Sequence, residues 1–330
     1  MERPFAMNID MIRAAAGRAK GIVRRTPLLS SPFLDEIAGR PVYVKAECLQ
    51  HTGSFKFRGG WSALSALDPE TRARGVIAYS SGNHAQGVAH AAQRHGVLAV
   101  IVMPSDAPQL KIANTRALGA EVVLYERGKE PREEIGQAIA HERGLTLIRP
   151  FDEPQVIAGQ GTCGLEIAEQ AAEMEIHEAD VLVCCGGGGL TAGIALALAA
   201  DAPQMRVRPV EPEGFDDTAR SLDAGQITGH GQPEKGLCDA ILTPRPGDIT
   251  FPIMKDLCGP GIVVTESQVR RAVALAFLRL KIVAEPGGAV ALAAALFNGD
   301  HLAPGPVIAT ISGGNVDPAL FARILSEHQG

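Results

Sequence analysis

Residues 181–193 read VLVCCGGGGLTAG, which joins an apolar run to four consecutive glycines and then to an apolar, Ala-rich stretch. The run at 181–185 predicts a buried strand, and the stretch at 190–200 predicts a helix. Four glycines in a row cost conformational entropy, which is explained if the backbone has to approach a phosphate at the helix N-terminus. The segment has neither the Gly-Lys-Ser/Thr ending of a P-loop nor the GxGxxG spacing of a dinucleotide site. A nucleotide is therefore the weaker interpretation of that phosphate.

Strand–helix alternation extends over most of the chain. Short β-branched runs predict strands at 42–46, 76–79, 99–103, 121–125, 181–185, 206–210, 262–265 and 307–312. Helical patterns lie near 8–23, 57–67, 83–95, 108–117, 132–143, 155–175, 190–200, 266–280, 287–297 and 317–328. Such alternation predicts an α/β fold, in which parallel sheets are covered by helices on both faces.

The order of these segments predicts two domains. Three strand–helix repeats fall between 66 and 147, and a second series begins at 180. We therefore expect a small domain over 66–147 and a large domain over 1–65 and 148–330. The Gly- and Pro-rich segment 223–262 predicts a long, ordered surface loop.

The composition argues against several classes of protein. Of the 330 residues 46% are hydrophobic, and 31 Lys+Arg against 37 Asp+Glu give a net charge of −6, so neither nucleic acid nor an anionic membrane is an expected partner. The longest apolar runs, such as 289–297, are far shorter than the roughly 20 residues that cross a bilayer. The N-terminus does not resemble a signal peptide, so the six cysteines are read as reduced thiols of a cytoplasmic protein.

A lysine at position 56 stands between two phenylalanines, in the segment SFKF at 54–57. Most lysines are solvated surface charges, and that interpretation remains open here. A cation in the first turn of a helix, however, opposes the helix dipole. An apolar environment lowers the pKa of an amine, and such a lysine can act as a Schiff-base nucleophile.

Two further turns carry small polar residues directly after predicted strands. SSGNH at 80–84 opens a helix, where free backbone N–H groups and hydroxyls form a cradle for a carboxylate or phosphate. A simple helix cap would need only one of these residues. SGGN at 312–315 follows the last strand, where the Ser312 hydroxyl can reach a ligand at the strand ends. The alternative is a tight turn in which Asp317 caps the last helix, and both can hold at once.

Together, and in this order, the four motifs resemble the β-family, or fold type II, of pyridoxal-phosphate enzymes. The resemblance is to the branch of serine/threonine dehydratases, serine racemases and 3-hydroxyaspartate dehydratases. It runs from Thr26 to Asp317 and includes VIAGQGT at 156–162 and EPGGA at 285–289. It implies a tryptophan synthase β-like architecture of two open twisted sheets, with the large domain binding the cofactor and the small domain closing over the substrate.

The resemblance also implies a role for individual residues. Lys56 would bind pyridoxal 5'-phosphate as a Schiff base and then take the α-proton of the substrate. The other implied cofactor contacts are Phe55 beside the ring, Asn83 at its phenolic oxygen, Ser312 at its nitrogen, and Gly186, Gly187, Gly188 and Gly189 at the phosphate. Ser81, Asn83 and His84 would bind the substrate carboxylate, and Ser81 would return the proton in a racemase.

An acidic segment after the strand 206–210 is similar to the cation site of that branch. The resemblance implies Glu211, Asp217 and the carbonyl of Phe215 as ligands of Mg²⁺ or Ca²⁺, since these are hard oxygen ligands. An ordinary acidic loop is the alternative.

The predicted function is that of a pyridoxal-phosphate-dependent ammonia-lyase. It would convert serine, threonine or 3-hydroxyaspartate into a 2-oxo acid and ammonia, and a homodimer is common among the proteins it resembles. One alternative is a serine or aspartate racemase. Another is a binding module without catalysis, which would need neither Lys56 nor Ser81.

Three residues bear on the substrate. Ser81 matches racemases and hydroxyaspartate dehydratases, whereas plain threonine dehydratases usually have Ala there. Arg132 and Arg149 are expected in the segment that crosses between the domains, and Arg132 aligns with a position near the cofactor cleft. Because arginine binds a carboxylate in a bidentate, charge-assisted way, we expect 3-hydroxyaspartate to be a good substrate.

Overall fold

The computed structural model describes residues 7–80, 82–107, 109–126, 129–229, 231 and 236–328. Within these ranges the strands are β1 Leu28–Ser30, β2 Val42–Ala46, β3 Val76–Tyr79, β4 Ala99–Pro104, β5 Glu121–Tyr125, β6 Thr146–Leu147, β7 Ala179–Cys184, β8 Met205–Pro212, β9 Ile262–Val264 and β10 Val307–Ile311. The helices are α1 Ile9–Ala19, α2 Pro32–Ala38, α3 Lys56–Ala66, α4 Pro69–Arg74, α5 Asn83–His95, α6 Gln109–Ala117, α7 Arg132–Arg143, α8 Pro154–Glu173, α9 Gly189–Asp201, α10 Asp217–Ala224, α11 Thr250–Leu257, α12 Glu266–Leu275, α13 Pro286–Phe297 and α14 Pro318–Glu327. A π-helical turn at Ala276–Leu280 extends α12.

The strands form two separate sheets. The larger has the order β1-β2-β10-β7-β8-β9, and the smaller has the order β5-β4-β3-β6. Only the β1–β2 pair is antiparallel among these described strands. Strands β3, β4, β7 and β10 are buried throughout, and a parallel strand buried on both faces needs the continuous apolar sequence found there.

The predicted α/β fold with parallel sheets is confirmed, and all eight predicted strands form within two residues of their expected ends. The short strands β1 and β6 were not predicted, because two or three residues show no periodicity. Among the described helices, none has both the length and the apolar composition needed to cross a bilayer.

The prediction of a long loop at 223–262 is wrong for part of that segment. Residues 250–257 form α11, which buries Phe251, Ile253 and Met254. The carboxylate of Asp152 accepts hydrogen bonds from the backbone N–H groups of Ile249 (2.8 Å) and Thr250 (3.3 Å). The start of this helix is thus stabilised by a residue nearly a hundred positions away, which no local pattern reveals. Residues 230 and 232–235 of the segment lie outside the described residues.

Candidate active site

A cavity of about 930 Å³ lies where the carboxyl ends of strands from both sheets meet. Its lining includes Phe55, Lys56, Tyr79, Asn83, His84, Arg132, Arg149, Phe151, Gly186, Gly187, Gly188, Gly189, Glu285 and Ser312. Parallel strands of an α/β sheet commonly bind ligands at this edge. The structure therefore brings most of the sequence-predicted site residues together, whereas Ser81 lies outside the described residues.

Lys56 is the first residue of α3 and extends into this cavity. Its Nζ donates a hydrogen bond to the backbone carbonyl of Pro150 (2.7 Å) and lies 5.1 Å from the centroid of the Phe55 ring. Burial lowers the pKa of Lys56 to about 8, and the opposing effect of the Glu285 carboxylate is smaller. A substantial fraction of this amine is thus neutral near pH 8, as a nucleophile or general base requires.

A buried ion-pair network fixes the first turn of α3. The Arg58 guanidinium donates to both carboxylate oxygens of Glu47 (2.7 and 2.8 Å) and of Glu166 (2.7 and 2.8 Å). Lys45 also donates to Glu166 at 2.6 Å. Because Arg58 follows Lys56 by two residues, this network holds the backbone that carries the lysine. No local sequence pattern reveals this network, since its partners are far apart in the chain.

The glycine loop connects β7 to α9, and Gly188 adopts a φ of 88°. The carbonyl of Gly187 accepts hydrogen bonds from the Thr250 hydroxyl (2.7 Å) and the Gly247 N–H (3.2 Å). In the described part of the chain, the N–H groups of Gly186 to Gly189 have no acceptor. A Cβ on Gly187 would overlap the ring of Phe151. The loop thus offers a row of unused N–H donors to the cavity, which fits the phosphate of the expected cofactor.

Asn83 begins α5 and lies between two partners that the sequence analysis did not assign to the site. Its Nδ2 donates to Oε1 of Glu285 (2.6 Å), and its Oδ1 accepts from Nδ2 of Asn315 (2.7 Å). Glu285 is only 2% exposed, and burial raises its pKa to about 7. The signal that could have found it is a glutamate in the EPGGA motif directly before the buried helix α13.

His84 is buried beside the cavity, and one nitrogen of its ring already contacts the backbone. Nε2 lies 3.0 Å from the carbonyl of Ile148, which can only accept, so Nε2 carries the hydrogen. Burial and the Lys56 charge lower the pKa of His84 to about 3, so the ring is neutral and Nδ1 cannot donate to a carboxylate. The backbone N–H groups of Asn83 and His84 have no acceptor among the described residues and are available to an anion in the cavity.

The remaining predicted residues lie at different edges of the cavity. Ser312 follows β10, is buried, and donates its backbone N–H to the carbonyl of Gly288 (3.1 Å). Arg132 begins α7 instead of lying in the connection between domains, and its guanidinium carbon is 5.9 Å from the centroid of the Tyr79 ring. The predicted helix 132–143 is thus confirmed, whereas the expectation that Arg132 lies in the connection is wrong, because Arg132 belongs to the first turn of that helix. Arg149 does lie in the connection between β6 and α8, where it is exposed.

The expected cation ligands lie outside this cavity. Glu211 and Asp217 are each 1% exposed, and the two oxygens of Glu211 accept the N–H groups of Thr218 (2.9 Å) and Ala219 (2.8 Å). Burial and the Asp217 carboxylate raise the pKa of Glu211 to about 8. No cluster of three or more His, Cys, Asp or Glu side chains suited to a metal ion is found in the described ranges. Two neighbouring buried carboxylates nevertheless fit a cation, which would relieve their repulsion.

Comparison with known families identifies the class of protein that this fold and cavity define. The chain belongs to the family described as pyridoxal-phosphate dependent enzyme, whose model matches residues 19–313. The family and the fold class predicted from the motifs are therefore confirmed, and pyridoxal phosphate is the cofactor of the family.

Three similar proteins are each matched over nearly the whole of this chain. An L-threo-3-hydroxyaspartate ammonia-lyase of a Pseudomonas species is 41% identical over 316 residues, which are 96% of this chain and 97% of the relative. The solved structure of a threonine deaminase of T.th. is 46% identical, with a TM-score of 0.88, and the match covers 94% of this chain and 99% of that one. Maize serine racemase is 36% identical, with a TM-score of 0.91, and the match covers 98% of both chains.

Proposed function

We propose that this protein is an ammonia-lyase that converts small 3-hydroxy amino acids into 2-oxo acids and ammonia. The observation that carries the proposal is the position of Lys56. Its amine, with a pKa of about 8, enters a cavity that has unused N–H donors at the glycine loop and at the start of α5. These are a base, a phosphate site and a carboxylate site in one pocket. Relatives named ammonia-lyases at 41% and 40% identity support this reaction.

Different residues of this chain bind the cofactor, bind the substrate and transfer the proton. Bound pyridoxal phosphate supplies the electron sink for a carbanion at the substrate Cα. The N–H groups of Gly186 to Gly189 bind the phosphate, and the N–H groups of Asn83 and His84 bind the substrate carboxylate. The neutral Nζ of Lys56, held by the Pro150 carbonyl, takes the α-proton. Ser312 offers a hydroxyl instead of a carboxylate to the ring nitrogen, which favours elimination over transamination.

For the substrate we propose 3-hydroxyaspartate ahead of serine and threonine. Arg132 and Arg149 line the same cavity as Lys56, from α7 and from the β6–α8 connection. Either guanidinium can pair with a second carboxylate on the substrate side chain. The relative at 41% identity is named for L-threo-3-hydroxyaspartate, which supports this choice.

Racemisation is the second candidate activity. The structure of maize serine racemase superimposes on this chain with a TM-score of 0.91, and serine racemases are also found at 38% identity. In that reaction Ser81 would return a proton to the face of Cα opposite Lys56. Ser81 is assigned on the sequence alone.

Several further features belong to the same proposal. The small domain, residues 66–147, would close over the substrate, and Lys111 of α6 already reaches across the cavity to Asp239 (3.2 Å). Glu211, Asp217 and the Phe215 carbonyl would bind Mg²⁺ or Ca²⁺. A homodimer in the cytoplasm is proposed from the sequence resemblance, and exposed apolar side chains such as Phe33 (53%) offer surface for a second copy.

The reaction is tested with purified, cofactor-loaded protein. Serine, threonine and the four 3-hydroxyaspartate isomers are each assayed for 2-oxo acid and ammonia, and chiral chromatography follows the remaining amino acid. Release of both products in equal amounts supports the lyase. Inversion of the amino acid without ammonia would overturn it in favour of the racemase, and no turnover of any substrate would overturn both.

A further inference from the structure

We infer that Glu285 and Asn315 are positioning residues, which hold the Asn83 amide so that one of its N–H bonds is reserved for an oxygen of the bound cofactor. The inference rests on the proposed function only in that the cavity binds pyridoxal phosphate. Glu285 lines the cavity and Asn315 does not, and both are hydrogen-bonded to the side chain of Asn83.

The backbone carbonyl of Thr52 fixes the orientation of the Asn315 amide. A carbonyl oxygen can only accept, so the side-chain atom of Asn315 that lies 2.8 Å from it must be the amide nitrogen. The same nitrogen lies 2.7 Å from the Asn83 side chain, where it donates its second hydrogen. The Asn83 atom at that contact must therefore be the oxygen.

The orientation of Asn83 follows directly. With Oδ1 facing Asn315, its Nδ2 faces Glu285 and donates one hydrogen to Oε1 at 2.6 Å. Oε1 accepts whether Glu285 is ionised or protonated on its other oxygen, so the arrangement holds on both sides of its pKa of about 7. The contacts form one continuous series: Nδ2 of Asn315 donates to the Thr52 carbonyl and to Oδ1 of Asn83, and Nδ2 of Asn83 donates to Glu285. Either amide, if turned over, would place like atoms against each other.

One hydrogen on Nδ2 of Asn83 remains after these contacts. It has no acceptor among the described residues, and Asn83 lines the cavity beside Lys56. A donor fixed in this way binds an acceptor oxygen and rejects a group that must donate. We therefore assign it to the phenolic oxygen of the ring, which it holds as an acceptor.

The test measures cofactor affinity instead of turnover. Apoprotein is titrated with pyridoxal phosphate and, separately, with the analogue that lacks the phenolic oxygen. The variants are Glu285→Gln, which keeps an acceptor, Glu285→Leu, which removes it, and Asn315→Asp, which has the same shape but cannot donate to Thr52. Asn8→Asp is the matched control, since Asn8 is an exposed cap of α1 and aspartate caps equally well.

We expect Glu285→Leu and Asn315→Asp to bind pyridoxal phosphate about tenfold or more weakly, while Glu285→Gln and Asn8→Asp stay within about twofold of the wild type. All variants should bind the analogue alike, because it lacks the oxygen at issue. Equal weakening for both ligands would overturn the inference and indicate a merely structural role. Unchanged affinity in Asn315→Asp would also overturn it, and that nearly isosteric variant decides the matter if Glu285→Leu does not fold. If the wild type shows no lyase activity while the variants show this affinity pattern, the proposed function alone is refuted.

Discussion

We expect the ionisation of a single amine, that of Lys56, to set the pH dependence of cofactor capture. Only the neutral amine reacts with an aldehyde, and the pKa of about 8 lies well below the ordinary value of 10.5. We expect the rate of cofactor binding to the apoprotein to rise about tenfold per pH unit below pH 8 and to level off above it. Rapid-mixing absorbance measurements between pH 6 and pH 10 would check this.

Two variants control that measurement. Lys56→Ala should show neither the visible band of the bound cofactor nor lyase activity, whereas Lys20→Ala, at an exposed position, should retain both. A rate that keeps rising through pH 10, or turnover by folded Lys56→Ala, would contradict the role of this amine.

Arg132 and Arg149 permit a prediction about substrate choice. If either binds the second carboxylate, its replacement by alanine lowers kcat/KM for 3-hydroxyaspartate by about ten- to a hundredfold, and for serine far less. Steady-state kinetics with both substrates separate the two effects. Arg143→Ala is the control on the same helix, because Arg143 pairs with Glu121 at the surface (2.8 Å). Equal losses on serine and 3-hydroxyaspartate would refute a selective role.

At the residue scale the sequence revealed those groups whose chemistry is unusual for their position. Lys56 between two phenylalanines and the run of four glycines were found in this way. Glu285, Asn315 and Arg58 were not, because a glutamate, an asparagine and an arginine are ordinary residues until their distant partners are known. The ring orientation of His84 also depends on a carbonyl 64 positions away.

At the scale of elements, the connection from β7 to α9 requires glycine at position 188, and a substitution tests this requirement. A Cβ on Gly188 would lie 2.5 Å from the Met254 methyl carbon and 2.9 Å from the Thr250 hydroxyl, at a φ of 88°. Gly188→Ala should weaken cofactor binding by about tenfold or more, because relief of this overlap moves the N–H donors. Fluorescence titration of the apoprotein would measure the affinity.

Gly119 supplies a control for backbone strain. Its φ is 84°, and a Cβ there would meet nothing within 4 Å. Gly119→Ala therefore has the cost of a left-handed alanine, about 1–3 kcal/mol of stability, without disturbing the loop. Similar cofactor affinity in both variants would show that Gly188 is required for the backbone conformation alone.

Elements with a clear period were predictable, and those fixed by distant contacts were not. Helices α5 and α7 form over the residues predicted, since their patterns are local and a glycine ends each of them. Helix α11 was taken for loop, because its start depends on Asp152. Arg132 was placed in the connection between domains although the predicted helix 132–143 begins at this residue, as α7 does.

At the scale of the whole molecule, we expect Glu211 to link stability to pH and to the proposed cation. Its folded pKa of about 8 is above the unfolded value of 4.5, so its contribution is fully present below pH 4.5 and is lost as pH rises through 8. The wild type without a cation should lose about 1.4 kcal/mol per pH unit from this group over that window. Glu211→Gln should lose less, as denaturant unfolding at pH 5.5 and pH 8 would show.

The same variant tests the cation itself. Chelation should lower the melting temperature of the wild type at pH 8, and added Mg²⁺ or Ca²⁺ should restore it by mass action. Glu211→Gln should respond weakly to both treatments. If chelation and either ion leave the wild-type melting temperature unchanged, the proposed site is absent.

Strand β10, the last of the described strands, lies inside the larger sheet, where it pairs with β2 on one side and with β7 on the other. While the protein is being synthesised, those two strands have no common neighbour until residues 307–311 leave the ribosome. The smaller sheet is built from the continuous stretch 76–147 and has no such delay. The nascent chain therefore exposes an incomplete sheet edge until residues 307–311 are available to pair. A product truncated before β10 would be a substrate for chaperones and proteases.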